Sequence, residues 1–180
     1  GFTAMSAALH LAESGATVAV LEAETPGWGA SGRNGGFCCL GGANLSAPAM
    51  VSAFGTEAAD EFGRSEVDAV NLVSDLLDRF NIDADRHSNG ETQLAHRPKD
   101  MDRFRDSVSQ NPEQTLIEAA DLAAHGMNGP FHGALTMPVG FGLNPRKYLF
   151  GLAGAASAAG AQLFQRSAAS AIRKDGSGYL

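Results

Sequence analysis

Residues 1–36 read GFTAMSAALHLAESGATVAVLEAETPGWGASGRNGG, and their periodicity decides the fold. Phe2, Met5, Leu9 and Ala12 recur at the spacing of one face of an α-helix, and Ala4, Ala7 and Ala8 add a small-residue surface beside it. Gly15 stands where a helix stop belongs. TVAVLE (17–22) is a short apolar run ending in an acid, the pattern of a buried parallel strand. Residues 1–22 are therefore expected to be the helix and second strand of a βαβ unit whose first strand lies outside the sequence.

That unit carries half of the G-x-G-x-x-G/A fingerprint, in which glycines permit a tight turn and close approach of a pyrophosphate to a helix N-terminus. Gly1 takes the place of the second glycine and Ala4 that of the third position, while the first glycine is absent. Glu22 falls at the distance expected of a ribose-binding acid, whose carboxylate accepts hydrogen bonds from both ribose hydroxyls. Any α/β helix followed by a buried strand gives the same half-fingerprint, and Glu22 read alone is equally a surface acid at a strand end. AETPGWGASGRNGGFCCLGG (23–42) follows, a segment too long for a plain connector. Its small residues let backbone N–H groups face a concavity that suits anionic oxygens. Ser31 adds a hydroxyl, Arg33 a fixed charge and Asn34 a donor and an acceptor.

The stretch 1–36 resembles the N-terminal flavin-binding segment of FAD-dependent oxidoreductases of the D-amino-acid oxidase and glycine oxidase type. It is most similar to the γ-glutamylputrescine oxidase-like branch, whose hallmark is the GWGASGRNGG loop. FHGALTMPVGFGLNPRKYLFGLAGAASAAGAQLF (131–164) resembles the return of that family to its flavin domain, and residues 44–130 match mainly in layout. The resemblance implies FAD rather than NAD. It places Gly1 and Ala4 against the pyrophosphate and Glu22 on the adenosine ribose. Ala30, Ser31, Arg33, Asn34, Gly35 and Gly36 would line the flavin's phosphates and ring system. Ala169 stands where the family usually has Val, with its backbone facing the adenine. Phe37, Cys38 and Cys39 follow the double glycine where the family commonly has a polar residue, and the two thiols read as small buried hydrophobes.

The implied activity is oxidation of a C–N bond of a small amine or amino acid to an imine, with electrons passed to oxygen. A flavin dehydrogenase serving a quinone or carrier, and a non-catalytic truncated fragment or flavin-binding subunit, remain as alternatives. No catalytic residue is assigned, because the family draws those groups largely from a second half that lies outside this sequence.

The remaining pattern completes an α/β architecture: an incomplete Rossmann-like FAD-binding domain with an inserted α+β substrate-domain portion. The expected divisions are residues 1–83 for the first part of the flavin domain, 84–142 for the substrate-domain portion and 143–180 for the return. Residues 47–80 show helical periodicity interrupted by Gly55 and Gly63, GETQLAHRP reads as a strand and PKDMDRFRDSVSQ as a surface helix. TLIEAADLAAHG fits either a helix or a strand followed by a helical turn. GALTMPVGFG reads as a strand with a turn. Asn144 and Pro145 open a helix that Gly160 stops. AQLFQ and SAASAIRKDGSGYL read as two short strands, with Asp175-Gly176 as a hairpin turn.

A net charge of -7 excludes a strongly basic nucleic-acid or anionic-membrane surface. No apolar run is long enough to span a bilayer. Two adjacent cysteines do not suit a disulfide, and reduced thiols fit a cytoplasmic protein. The five histidines show no metal-ligand spacing, so no metal is expected.

Overall fold

The computed structural model describes residues 1–179. In chain order its elements are α1 (Phe2–Glu13), β1 (Ala19–Leu21), β2 (Phe37–Cys38), α2 (Ala47–Phe54), α3 (Thr56–Arg79), β3 (Glu91–Leu94) and α4 (Pro98–Gln110). Then come β4 (Thr115–Glu118), β5 (Gly133–Met137), β6 (Phe141–Gly142), α5 (Pro145–Ala158), β7 (Gln162–Phe164), β8 (Lys174–Asp175) and β9 (Gly178–Tyr179). The chain forms two compact units, one of residues 1–36, 73–86 and 143–180 and the other of residues 37–72 and 87–142. These units group residues 37–72 with 87–142 and residues 84–86 with the first unit, where the expected divisions put 37–72 in the flavin domain and 84–86 in the substrate-domain portion.

The first unit repeats one helix-to-strand device. α1 buries Met5, Ala8, Leu9 and Ala12, and α5 buries Tyr148, Leu149, Leu152, Ala153 and Ala156. The two helices pack on each other, with Phe2 tilted against Tyr148 at 5.3 Å between ring centroids. Small residues at Ala8, Ala12, Ala153 and Ala156 permit that close approach. Both helices end alike. Gly15 N–H donates to Ala12 C=O and Ala16 N–H to Leu11 C=O; Gly160 N–H donates to Ser157 C=O and Ala161 N–H to Ala156 C=O. These are paired C-terminal closures around a glycine of positive φ. Each turn feeds one strand of a parallel pair, Ala19 opposite Gln162 and Leu21 opposite Phe164. The strand expected over 17–22 is thus confined to 19–21, and its partner comes from the far end of the sequence.

The start of α5 is fixed as its sequence indicates. Asn144 Oδ1 accepts from the N–H groups of Arg146 and Lys147, both at 3.2 Å, and Pro145 occupies the first turn. Beyond β7 the chain is irregular until the β8–β9 hairpin, so most of the second strand expected there is absent; Leu180 lies outside the described residues.

The second unit is built on an antiparallel sheet of order β3-β5-β4, with Thr92 opposite Thr136 and Leu116 opposite Leu135. α4 covers it. Ala95, Met101, Phe104 and Leu135 make one core cluster, and Ile117, Leu122 and Ala134 another. The ambiguity at TLIEAADLAAHG resolves into β4 followed by a 3-10 helix, Ala119–His125. The interruption at Gly55 separates α2 from α3, whereas Gly63 is carried inside α3. β2, which the sequence did not suggest, pairs with β6.

Candidate functional site

The candidate cofactor residues all fall in the first unit, whereas Phe37, Cys38 and Cys39 fall in the second. Because β1 and β7 are parallel, their carboxyl ends share one edge, and ligands of open α/β sheets bind outside that edge. Glu22 stands immediately past β1 and Gln165 immediately past β7. Glu22 N–H donates to Phe164 C=O, and Ser167 N–H donates to Glu22 C=O, both at 2.8 Å, so the backbone on either side of Glu22 is fixed. Its Oε1 accepts the N–H of Glu24 at 3.0 Å. Glu22, Gln165, Met5, Val20, Pro26, Leu163 and Phe164 line a cleft of about 120 Å³. Gln165 and Pro26 escaped the sequence reading. The signal for Gln165 is its place directly after AQLF, which becomes informative only once β7 is known to pair with β1.

The N-terminus of α1 and the glycine-rich loop meet. The first N–H groups of a helix have no partner within it. Here the Phe2 N–H donates to Ser31 Oγ at 3.1 Å, and Met5 N–H makes the first helical bond to Gly1 C=O. A Cβ on Gly1 would stand 2.5 Å from Ser31 Oγ and would displace the hydroxyl that accepts the Phe2 N–H. Ala4 is exposed on the first turn.

Within the loop, Ala30–Gly32 form one 3-10 turn. Asn34 braces it: Nδ2 donates to Ala30 C=O at 3.1 Å and Ser31 C=O at 3.3 Å, and Oδ1 accepts the Gly36 N–H at 2.8 Å. Gly36 is buried at φ 76°, its C=O accepts the Leu143 N–H, and a Cβ there would collide with the Leu143 carbonyl oxygen. The glycine at 36 thus has a cause within the chain itself. Arg33 and Gly35 are exposed, and the Arg33 guanidinium lies over the Trp28 ring. Ala169 is exposed in the irregular segment after β7 and does not line the cleft.

Other charged groups are engaged elsewhere. Arg86 pairs with Asp78 and Arg97 with Asp100, and His96 sets its edge on Phe131. Asp85 accepts from Lys147 and from Asn144 Nδ2, and its hydrogen bond holds the Lys147 ammonium above its ordinary value. Cys38 and Cys39 are half-buried thiols rather than fully buried ones. Burial, then the Glu91 carboxylate, pushes the Cys39 thiol up, which keeps it protonated and unreactive at neutral pH. A wider groove of about 590 Å³ between residues 80–83 and α5 gathers no predicted site residue. Among the described residues no cluster of metal-ligating side chains forms, and no helix is long and apolar enough to cross a membrane.

A helix N-terminus, an acid past a parallel strand and a glycine loop in one Rossmann-like unit are the parts from which dinucleotide-binding α/β folds are built. The profile of the FAD dependent oxidoreductase family matches residues 1–179, and the chain belongs to that family, whose cofactor is FAD. It is 28% identical over 182 residues to gamma-glutamylputrescine oxidoreductase of Escherichia coli, covering 96% of this chain and 41% of that protein. The glycine oxidase of Geobacillus kaustophilus superposes with a TM-score of 0.72 at 23% identity, over 97% of this chain and 47% of that one. L-alpha-glycerophosphate oxidase of Mycoplasma pneumoniae, solved with FAD bound, superposes with a TM-score of 0.69 at 14% identity, over 98% of this chain and 45% of that one. The chain thus spans about two fifths of the length of the curated relative it matches.

Proposed function

We propose that the natural protein carrying this chain oxidises a C–N bond of a small amine or amino acid to an imine and passes the electrons to oxygen. The observation that carries the reading is the convergence of Glu22, Gln165 and Met5 of α1 on one cleft at the carboxyl edge of β1 and β7. The residues present fit the cofactor. A bare glycine at position 1 leaves the Ser31 hydroxyl in place on the helix N-terminus, and Glu22 sits on backbone fixed from both sides.

In this reading Gly1 and Ala4 admit the pyrophosphate to the α1 N-terminus, where oriented N–H groups favour negative charge. Glu22 accepts hydrogen bonds from the ribose hydroxyls, and the backbone of Ala169 faces the adenine. Ala30, Ser31, Arg33, Asn34, Gly35 and Gly36 hold the remaining phosphate and ring surface. Bound FAD supplies the two-electron acceptor that the reaction requires. The chain's own part is retention and orientation: Ser31 fixes the loop to α1, and Asn34 keeps the loop closed. Residues 84–142 contribute a portion of the substrate domain. The similarity to gamma-glutamylputrescine oxidoreductase and glycine oxidase supports a small primary or secondary amine as substrate, and the adjacent thiols support a cytoplasmic location.

The test uses the natural gene product reconstituted with FAD and offered a panel of amines and amino acids. Substrate-dependent peroxide with oxygen as sole acceptor is the expected result. Bleaching of the flavin without peroxide, but with reduction of an added quinone, would move the protein to the dehydrogenases. Failure to retain any FAD would overturn the reading.

A further inference from the structure

The cofactor reading gives Arg33 a place on the flavin's phosphates and Trp28 none, yet two turns of the loop bring the two side chains together. Thr25-Pro26-Gly27-Trp28 closes a turn, with Trp28 N–H donating to Thr25 C=O at 3.0 Å and Gly27 at φ 80°. Proline second and a left-handed glycine third are the chemistry of a type II turn. Five residues on, the 3-10 turn closes with Gly32 N–H on Gly29 C=O and Arg33 N–H on Ala30 C=O. The two turns touch at their glycines: a Cβ on Gly32 would lie 2.6 Å from Gly27 Cα. The residue after each of these glycines is therefore presented beside the other, and the Arg33 Cζ stands 4.9 Å from the Trp28 ring centroid.

Arg79, Arg103 and Arg146 also lie over aromatic rings, each over a phenylalanine next in sequence or on the same helix, whereas Arg33 lies over an indole presented by a separate turn. Acids outnumber lysines and arginines, 20 to 13. Arg79, Arg86, Arg97 and Arg105 each hold a carboxylate. Arg33 has no carboxylate within ion-pair distance among the described residues, and no hydrogen bond occupies its guanidinium there. Trp28 is 53% exposed, a large apolar surface left in water with a cation on its face. An indole face attracts a guanidinium without using its N–H donors. The arginine is thus held in place while its donor fork stays open to an anion.

We infer that Trp28 is a positioning residue that holds Arg33 as a preorganised receptor for a diphosphate group. The inference rests on the cofactor reading for the identity of that diphosphate, the one within FAD, but not for the existence of the receptor. Trp28 acts through Arg33 by fixing the guanidinium before the anion arrives, which removes part of the ordering cost of binding.

Two measurements test this. In the first, the indole emission of the natural gene product is followed during titration with inorganic pyrophosphate, and the part that belongs to Trp28 is taken as the difference from the Trp28→Phe variant under the same titration. A saturable change is expected in the wild type and its loss in Arg33→Gln. No change in the wild type, or an equal change in Arg33→Gln, overturns the inference. In the second, FAD affinity is measured for wild type, Trp28→Leu, Trp28→Phe, Arg33→Gln and the Trp28→Leu/Arg33→Gln double variant. Trp28→Leu is expected to weaken binding about two- to fivefold, and Trp28→Phe to recover most of it. The double variant should bind no worse than Arg33→Gln alone, because the tryptophan has nothing left to hold. Additive losses, or no recovery with phenylalanine, mean that Trp28 serves loop stability and the inference fails. A wild type that answers pyrophosphate through Arg33 yet takes up no FAD would sink the flavin reading and leave the receptor standing.

Discussion

Two sheets of the molecule, β3-β5-β4 and β1-β7, are closed in opposite ways. In the second unit, β3, β5 and β4 come from one stretch of 47 residues (91–137), pair antiparallel and lie under α4. In the first unit, β1 and β7 come from opposite ends of the chain and pair parallel, an arrangement that needs the long crossover between them. Antiparallel sheets tolerate one solvated face, whereas parallel strands are usually covered on both. The difference shows at the surface: Leu21 is 56% exposed and Phe164 45%, while Leu135 and Ala134 of β5 are buried. The unit that carries every candidate cofactor residue is the one whose sheet is least complete in itself. The candidate site lies at the carboxyl ends of the parallel pair.

The largest expected effect breaks the self-contained sheet. Phe104 is 1% exposed in the cluster beneath β5, and Phe104→Ala should cost about 3–5 kcal/mol in denaturant unfolding. Leu152→Ala removes a fully buried side chain from α5 of the first unit, where a cost of about 2–5 kcal/mol is expected. If the first unit is the looser of the two, native-state hydrogen exchange will show β1 and β7 amides opening before those of β5 in the wild type. Equal protection of the two sheets would erase the contrast drawn above.

Gly36→Ala comes next. The new Cβ would meet the Leu143 carbonyl, and the positive φ adds strain, so about 1–3 kcal/mol of destabilisation is expected. The loss should appear in thermal unfolding of the protein without FAD, because the collision is within the chain. A variant as stable as the wild type but poor in FAD would instead make Gly36 a cofactor contact first.

Much of the first unit was legible because its signals are local. Helical spacing from Phe2 to Ala12, the stop at Gly15 and the cap at Asn144 each depend on a few neighbouring residues, and each appears in the structure. What escaped depends on pairing across the chain. β2 has only two residues and exists through its partner β6. Gln165 joins the cleft only because β7 lies beside β1, and the proximity of Trp28 to Arg33 depends on contact between two glycine turns. The family resemblance named the candidate residues, but it could not say that Gly36 and Asn34 are held by their own chain.

Glu22→Ala sharpens the functional side of the comparison. Loss of hydrogen bonds to a charged acceptor should weaken FAD binding by about tenfold or more. Turnover of the fully loaded enzyme should change less, and Phe104 packing should be untouched. Unchanged flavin affinity would remove Glu22 from the ribose.

The smallest effect separates the helix starts of the two units by pH. α5 is opened by Asn144, a neutral cap, and α4 by Arg97 and Asp100, in which the Arg97 N–H donates to Asp100 Oδ2 at 3.0 Å. Partial burial raises the Asp100 pKa, but the Arg97 N–H and guanidinium outweigh it and hold the carboxyl below its ordinary value of 3.8. A carboxyl whose folded pKa is depressed contributes its stability above the unfolded value, and that contribution is lost as pH falls through the folded one. Protection of the Arg97 amide should therefore fade below pH 3.8, while the Arg146 and Lys147 amides, whose acceptor is the neutral Asn144 Oδ1, feel acid only indirectly, through the Asp85 carboxylate that holds Asn144 Nδ2, and should lose less. Should both helix starts loosen together over that range, the acid response would belong to the whole protein, and the charged cap of α4 would have no pH dependence of its own.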